Sequence, residues 1–154
     1  MNEETTTILD HLERAHEGEA WYGPALHELL RDLTPAQVTA RPIPGAHNIL
    51  ELVLHVAGWH DVLRRRLGGE RVDAPDEGDF QRIEQADSDT WARAVALLRA
   101  SHRSLARAIA ELPPSQWQAT VPGRAYTVRF MITAIAQHSV YHAGQIALLR
   151  KALA

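Results

Sequence analysis

Apolar residues recur at steps of three and four along nearly the whole chain, the spacing that lines one face of an α-helix. The clearest run is Trp91, Val95, Leu98, His102, Leu105, Ile109 and Leu112, a heptad-like seam that predicts a helix packed lengthwise in a bundle. Asp87, Ser88 and Asp89 offer N-caps and acidic charge at its start, and Pro113-Pro114 stops it. A first segment runs from about Thr5 to Leu33, with an interruption expected at Gly23-Pro24 and the stripe resuming at Leu26, Leu29, Leu30 and Leu33. Thr34-Pro35-Ala36-Gln37 reads as a short capped turn, with Thr as cap and Pro at the first helical position. A second long helix is predicted from Asn48 to Leu67, before Gly68-Gly69, with Leu52, Val56, Trp59, Leu63 and Leu67 facing inward. A fourth spans Thr127 to Lys151, with Phe130, Ala134, Ile135, His138, Tyr141, His142, Gln145 and Leu149 near one side.

No segment reads as a strand. The expectation is an all-α four-helix bundle forming one domain over residues 1–154. Residues 34–47, 68–87 and 113–126 make connections longer than tight bundle loops, so crossovers can replace a simple up-down-up-down order.

Composition narrows the function classes. The net charge is −3 and the basic residues are scattered apart from Arg64-Arg65-Arg66, which disfavours nucleic acid as the main partner. That triplet falls at a predicted helix C-terminus, where cations complement the macrodipole. There is no cysteine, which excludes disulfides, a Cys-ligated zinc and a cysteine nucleophile. The acidic, amphipathic start is unlike a secretion signal, and no apolar run reaches the length of a membrane span. A cytoplasmic protein acting on a small molecule, with neither nucleic acid nor membrane as partner, is expected.

The chemistry lies in the histidines. His138 and His142 stand one helical turn apart and can point at one ion. An HxxxH pair is common by chance among nine histidines, yet both fall on the predicted apolar side, where polar groups need partners. HSVYH lacks the glutamate that follows the first histidine of a zincin, so a peptidase is disfavoured. His55 sits between Leu52 and Trp59 on an inner face. Alone it reads as a core histidine; with two more inward imidazoles a shared divalent ion becomes the cheaper account. Glu51, one turn earlier, is either a fourth ligand or general base, or the capping-box partner of Asn48. His102 reads as a core histidine, His60 points away from His55, and His11, His16 and His27 read as peripheral. Gly58 and Gly144 interrupt helices near the three histidines, for close packing or to leave room for a ligand.

The run Gln137-His138-x-x-Tyr141-His142-Ala143-Gly144-Gln145-Ile146-x-Leu148-Leu149-Arg150-Lys151 resembles the terminal signature of the DinB-like (DinB/YfiT) superfamily. Glu51-Leu52-Val53-Leu54-His55 is similar to that family's other ligand-bearing helix, and Ala20-Trp21-Tyr22-Gly23-Pro24 to part of its first. The resemblance implies a four-helix bundle with a divalent metal, zinc or nickel, held by His55, His138 and His142. It also implies homodimers and S-transferases that use low-molecular-weight thiols such as bacillithiol or mycothiol. Two readings follow. One is a metal-dependent enzyme acting through an activated thiol or water, with Glu51, Tyr141 and Gln145 as candidate catalytic residues and Trp59 as a pocket wall. The other is a non-catalytic metal-binding bundle serving as a sensor or binding module.

Overall fold

The computed structural model describes residues 2–154 and is all-helical: α1 (Glu3–His16), α2 (Leu26–Leu29), α3 (Pro35–Thr39), α4 (Ile49–Leu67), α5 (Ser88–Glu111) and α6 (Val128–Ala152), with a 3-10 turn at Pro114–Gln116. Of the single domain expected over residues 1–154, Met1 lies outside the described residues. Each long helix starts where a short polar side chain can take a free backbone N–H. Asn2 accepts from Thr5 (2.8 Å), Asn48 from Glu51 (2.9 Å), Asp87 from Thr90 (2.7 Å) and Thr127 from Phe130 (3.2 Å). Thr34 caps α3 with Pro35 at its first position, as the sequence predicts.

The first segment departs from expectation. It breaks at Gly18 (φ 147°) and Glu19 (φ 58°), well before Gly23-Pro24. Left-handed backbone there ends α1 at His16, and only the single turn of α2 follows. The face of α6 also differs. Phe130 and Tyr141 are 60% and 65% exposed, while Ile132, Ser139 and Ile146 are fully buried. α6 contacts α1 and α2 as well as α4, so its buried face is broad and centred on that heptad spacing.

Helix directions follow from the contacts. Glu4 pairs with Arg129 (2.6 Å) near the starts of α1 and α6, and His16 meets Ser139 (3.0 Å) farther along both, so these two helices run parallel. Val53, Val56, Trp91, Ala94 and Leu98 share one apolar cluster, while Leu63, Leu105 and Ile109 share another. Hence α4 and α5 are parallel too, and antiparallel to the first pair. The order is up-down-down-up. A parallel α4–α5 pair needs the chain to return the full length of the bundle, and residues 68–87 do this against α4. Pro75 lies where a Cβ on Gly58 would come within 3.0 Å, so Gly58 serves close packing. Ile83 donates to Glu51 (2.8 Å) and accepts from Asn48 (2.7 Å). No helix among the described residues is long and apolar enough to cross a membrane.

The core is split in two by polar rings. In α4, α5 and α6, His60, His102 and Ser139 fall between the two apolar clusters. His16 and His27, expected to be peripheral, are buried with them: His16 continues the buried face of α1 formed by Ile8, Leu12 and Ala15, and His27 lies on the buried side of α2. His16 stacks on His102 at 4.3 Å and lies 4.8 Å from His60 and 6.2 Å from His27. Serine and glutamate side chains meet one nitrogen of three of these rings: His16 with Ser139, His60 with Ser101 (3.2 Å), and His102 with Glu13 (3.0 Å).

Burial disfavours charge on His16, His27 and His60. It holds His60 down to about 3, with His102 adding to the effect, and His27 down to about 4, with Arg99 adding to it. Burial also holds His16 well below its ordinary value. The folded-state values lie below the unfolded value of 6.5, so this contribution to stability is complete above pH 6.5 and is lost as pH falls toward 4. Urea unfolding of chelator-treated protein should show stability falling by about 1.4 kcal/mol per pH unit for each such ring below that point. Stability unchanged from pH 7 to pH 5 would contradict it.

Candidate metal centre

His55 comes from the middle of α4, and His138 and His142 from successive turns of the antiparallel α6. Among the described residues these three alone form a group of histidine or acidic side chains whose ligand atoms all lie within 4.8 Å of one another. The Nε2 of His138 is 3.0 Å from that of His55 and 3.1 Å from that of His142. A tetrahedral zinc with bonds of about 2.0–2.1 Å separates its nitrogens by about 3.3 Å, so the spacing suits a small divalent ion.

Two outer contacts set the proton on the far nitrogen. His55 Nδ1 donates to the Asp79 carbonyl (2.8 Å), with the Asp79 carboxylate also at 3.2 Å. His142 Nδ1 donates to Gln145 Oε1 (2.6 Å). Each ring therefore turns a lone pair inward, the arrangement that outer-shell partners impose on metal-ligating histidines. His138 Nε2 can donate a proton to only one of those lone pairs, so three neutral rings cannot satisfy one another. Burial lowers all three pKa values. His138 falls to about 3, helped by His142 and His55, while the Asp79 and Gln145 contacts partly oppose the effect at His55 and His142. Neutral imidazole is the metal-binding form.

The other candidates are placed differently. Glu51 is buried, but its carboxylate turns to the helix start. It accepts from the backbone N–H groups of Asn48 (3.2 Å) and Ile83 (2.8 Å), lies 3.2 Å from His47 Nδ1, and pairs with Arg41. Burial opposes its charge, yet these donors override that and hold its pKa at about 2. The capping geometry is thus formed, and no Glu51 oxygen joins the three histidines. Tyr141 faces solvent and touches His142 edge-on at 5.1 Å. Gln145 stands one shell out from the nitrogens. Gly144 has open space where a Cβ would be.

Sequence reasoning missed two residues here, both in the return segment. Phe80 stacks flat on His55 at 3.9 Å and on His47 at 3.7 Å. Asp79 binds His55 and also accepts from the Trp59 indole N–H (2.7 Å). Neither carries a spacing signal, because an irregular segment has no period. From His138 an apolar cleft of about 190 Å³ runs between α4 and α6, lined by Trp59, Leu63, Met131 and Ile135 and reaching Arg66 and Tyr126.

A family model described as the DinB superfamily matches residues 23–146, a span that contains all three histidines. No curated protein matches the chain.

Replacing Gln145 with Leu should weaken divalent-metal affinity by about 10–100-fold in competition with a chromophoric chelator. Unchanged affinity would show that the Gln145 contact does not set the His142 tautomer. Glu51→Ala removes the buried carboxylate that Arg41, Asn48 and Ile83 share and should cost about 1–3 kcal/mol in urea unfolding, with metal stoichiometry unaltered. Loss of metal at unchanged stability would instead make Glu51 a ligand.

Proposed function

The chain belongs to the DinB superfamily, and from that premise we propose that it is a metal-dependent enzyme whose ion, zinc or nickel, is held by His55, His138 and His142. The observation that carries the reading is the convergence of three Nε2 atoms in neutral rings at the head of an apolar cleft. Bound there, a divalent ion would lower the pKa of a thiol or water beside it and supply a nucleophile at neutral pH.

The chain's own residues prepare the site. Asp79 and Gln145 hold the outer ring nitrogens, and Phe80 fixes the plane of His55. Glu51 is tied to Arg41 and the start of α4, so it would not serve as a fourth ligand to an ion held by the three histidines. An open position favours catalysis over a purely structural ion. Trp59, Met131 and Ile135 give the cleft apolar walls. The nucleophile we favour is a low-molecular-weight thiol of the bacillithiol or mycothiol kind, which fits a chain with no sulfhydryl of its own. Its sulfur would attack an electrophilic carbon, forming a C–S bond as the leaving group departs with the bonding pair.

Elemental analysis of protein purified without a metal-affinity tag should find about one ion per chain, lost in His55→Ala and His142→Ala. Nickel- or cobalt-loaded protein should then develop a sulfur-to-metal charge-transfer band with bacillithiol or mycothiol and conjugate 1-chloro-2,4-dinitrobenzene. Absence of metal would sink the enzyme reading. Metal without a response to any thiol would remove S-transfer and favour the non-catalytic binding module.

A further inference from the structure

Arg66 ends the cleft that begins at His138. Its neighbours behave as cations at a helix C-terminus do. Arg64 pairs with Asp61 (2.7 Å), and Arg65 with Glu70 (2.9 Å) and Asp76 (3.0 Å). Arg66 is different. It is 4% exposed, and its guanidinium donates only to uncharged acceptors: Nε to the Val72 carbonyl (2.9 Å), Nη1 to the Tyr126 hydroxyl (2.9 Å) and Nη2 to the Asp73 carbonyl (3.2 Å). No carboxylate lies within 4.0 Å of it among the described residues. One N–H on each Nη is left without a protein acceptor. The Tyr126 hydroxyl accepts from Arg66 and donates to nothing among the described residues.

A buried cation without a counter-charge is costly. Neutral donors could tie the same carbonyls at lower cost, so the charge itself calls for a partner. The cleft offers the place for one. The guanidinium carbon lies 5.6 Å from the Trp59 ring, and the intervening walls are apolar. His55 and Arg66 are separated by about 16 Å along the α4 axis, from about 1.5 Å of rise per residue, which suits a molecule small in section and several bonds long.

We propose that this cleft binds a small substrate with an apolar middle and a carboxylate end, the carboxylate held by Arg66 and Tyr126 and the rest lying along Trp59 toward His138. This rests on the reading of the triad as a reaction centre and adds the substrate class. A carboxylate matches two parallel N–H groups of a guanidinium fork. Arg66 and Tyr126 are then specificity residues, distant from the reacting atoms.

The test compares 3-phenylpropanoate with its neutral isostere 3-phenylpropanamide by calorimetry, using the full chain both metal-loaded and chelator-treated. The acid should bind at least tenfold more tightly than the amide in both forms. That preference should vanish in Arg66→Gln, survive in part in Arg66→Lys, and shrink in Tyr126→Phe, with circular dichroism confirming the folds. If Arg66→Gln does not fold, the chelated wild type and Tyr126→Phe decide. Equal binding of acid and amide, or no saturable binding of either at millimolar concentration, would overturn the proposal. So would a preference seen only with metal present, because the carboxylate would then sit on the ion. A preference that persists in a chain unable to bind metal would uphold the anion site while the enzyme reading failed.

Discussion

An imidazole removed from water is disfavoured in its charged form unless a counter-charge meets it, and each of its nitrogens needs a partner of the right kind. Seven such rings lie in or beside the interior of this bundle, and its architecture is organised around them. Four of them interrupt the apolar core at mid-height, where serine and glutamate side chains from α1, α5 and α6 meet one nitrogen of three. The other three meet at the α4–α6 contact with their lone pairs turned together. Desolvation disfavours the charged form of His16, His27 and His60 in the first set and of all three rings in the second, but their outcomes differ. The mid-core rings face scattered partners at ring spacings of 4.3–6.2 Å. Among the described residues only the triad converges on one point.

The up-down-down-up order is what allows that convergence. With α4 antiparallel to α6, one residue from the middle of α4 stands level with two successive turns of α6. The same order makes α4 and α5 parallel and forces a return segment along α4. That segment connects the helices and also brings Asp79 and Phe80 onto His55 and ties Ile83 to Glu51. Glu51 therefore belongs to the scaffold: its buried carboxylate joins the start of α4, Arg41 and the return segment. The side of the triad toward the cleft is left to apolar walls and, at their far end, to Arg66.

Much of the bundle was legible beforehand because its signals are local. The caps at Thr34, Asn48, Asp87 and Thr127 act within a few residues of themselves, and the α5 seam repeats every three or four. The break after α1 was misplaced because proline is a conspicuous helix breaker, whereas a left-handed Glu19 leaves no mark in composition. The inward side of α6 was shifted because a helix with neighbours on several sides has no narrow stripe to read. His16 looked peripheral although it continues the buried spacing of Ile8 and Leu12 on α1, and His27 did because a single-turn helix is too short to show a face.

The sequence by itself determined the three long later helices, the all-α class and the pairing of His138 with His142, since a helix places residues i and i+4 side by side whatever surrounds it. It also nominated His55 through its apolar neighbours, but nothing local says that α4 and α6 run antiparallel at that height. Tertiary structure decided that, along with the two roles open to Glu51 and the partners of the outer nitrogens. It also decided the difference between Arg66 and the two arginines before it. Three identical residues in a row carry one composition and one propensity. Only the packing of α4 against α6 and the return segment takes the third out of water and leaves it without a carboxylate partner.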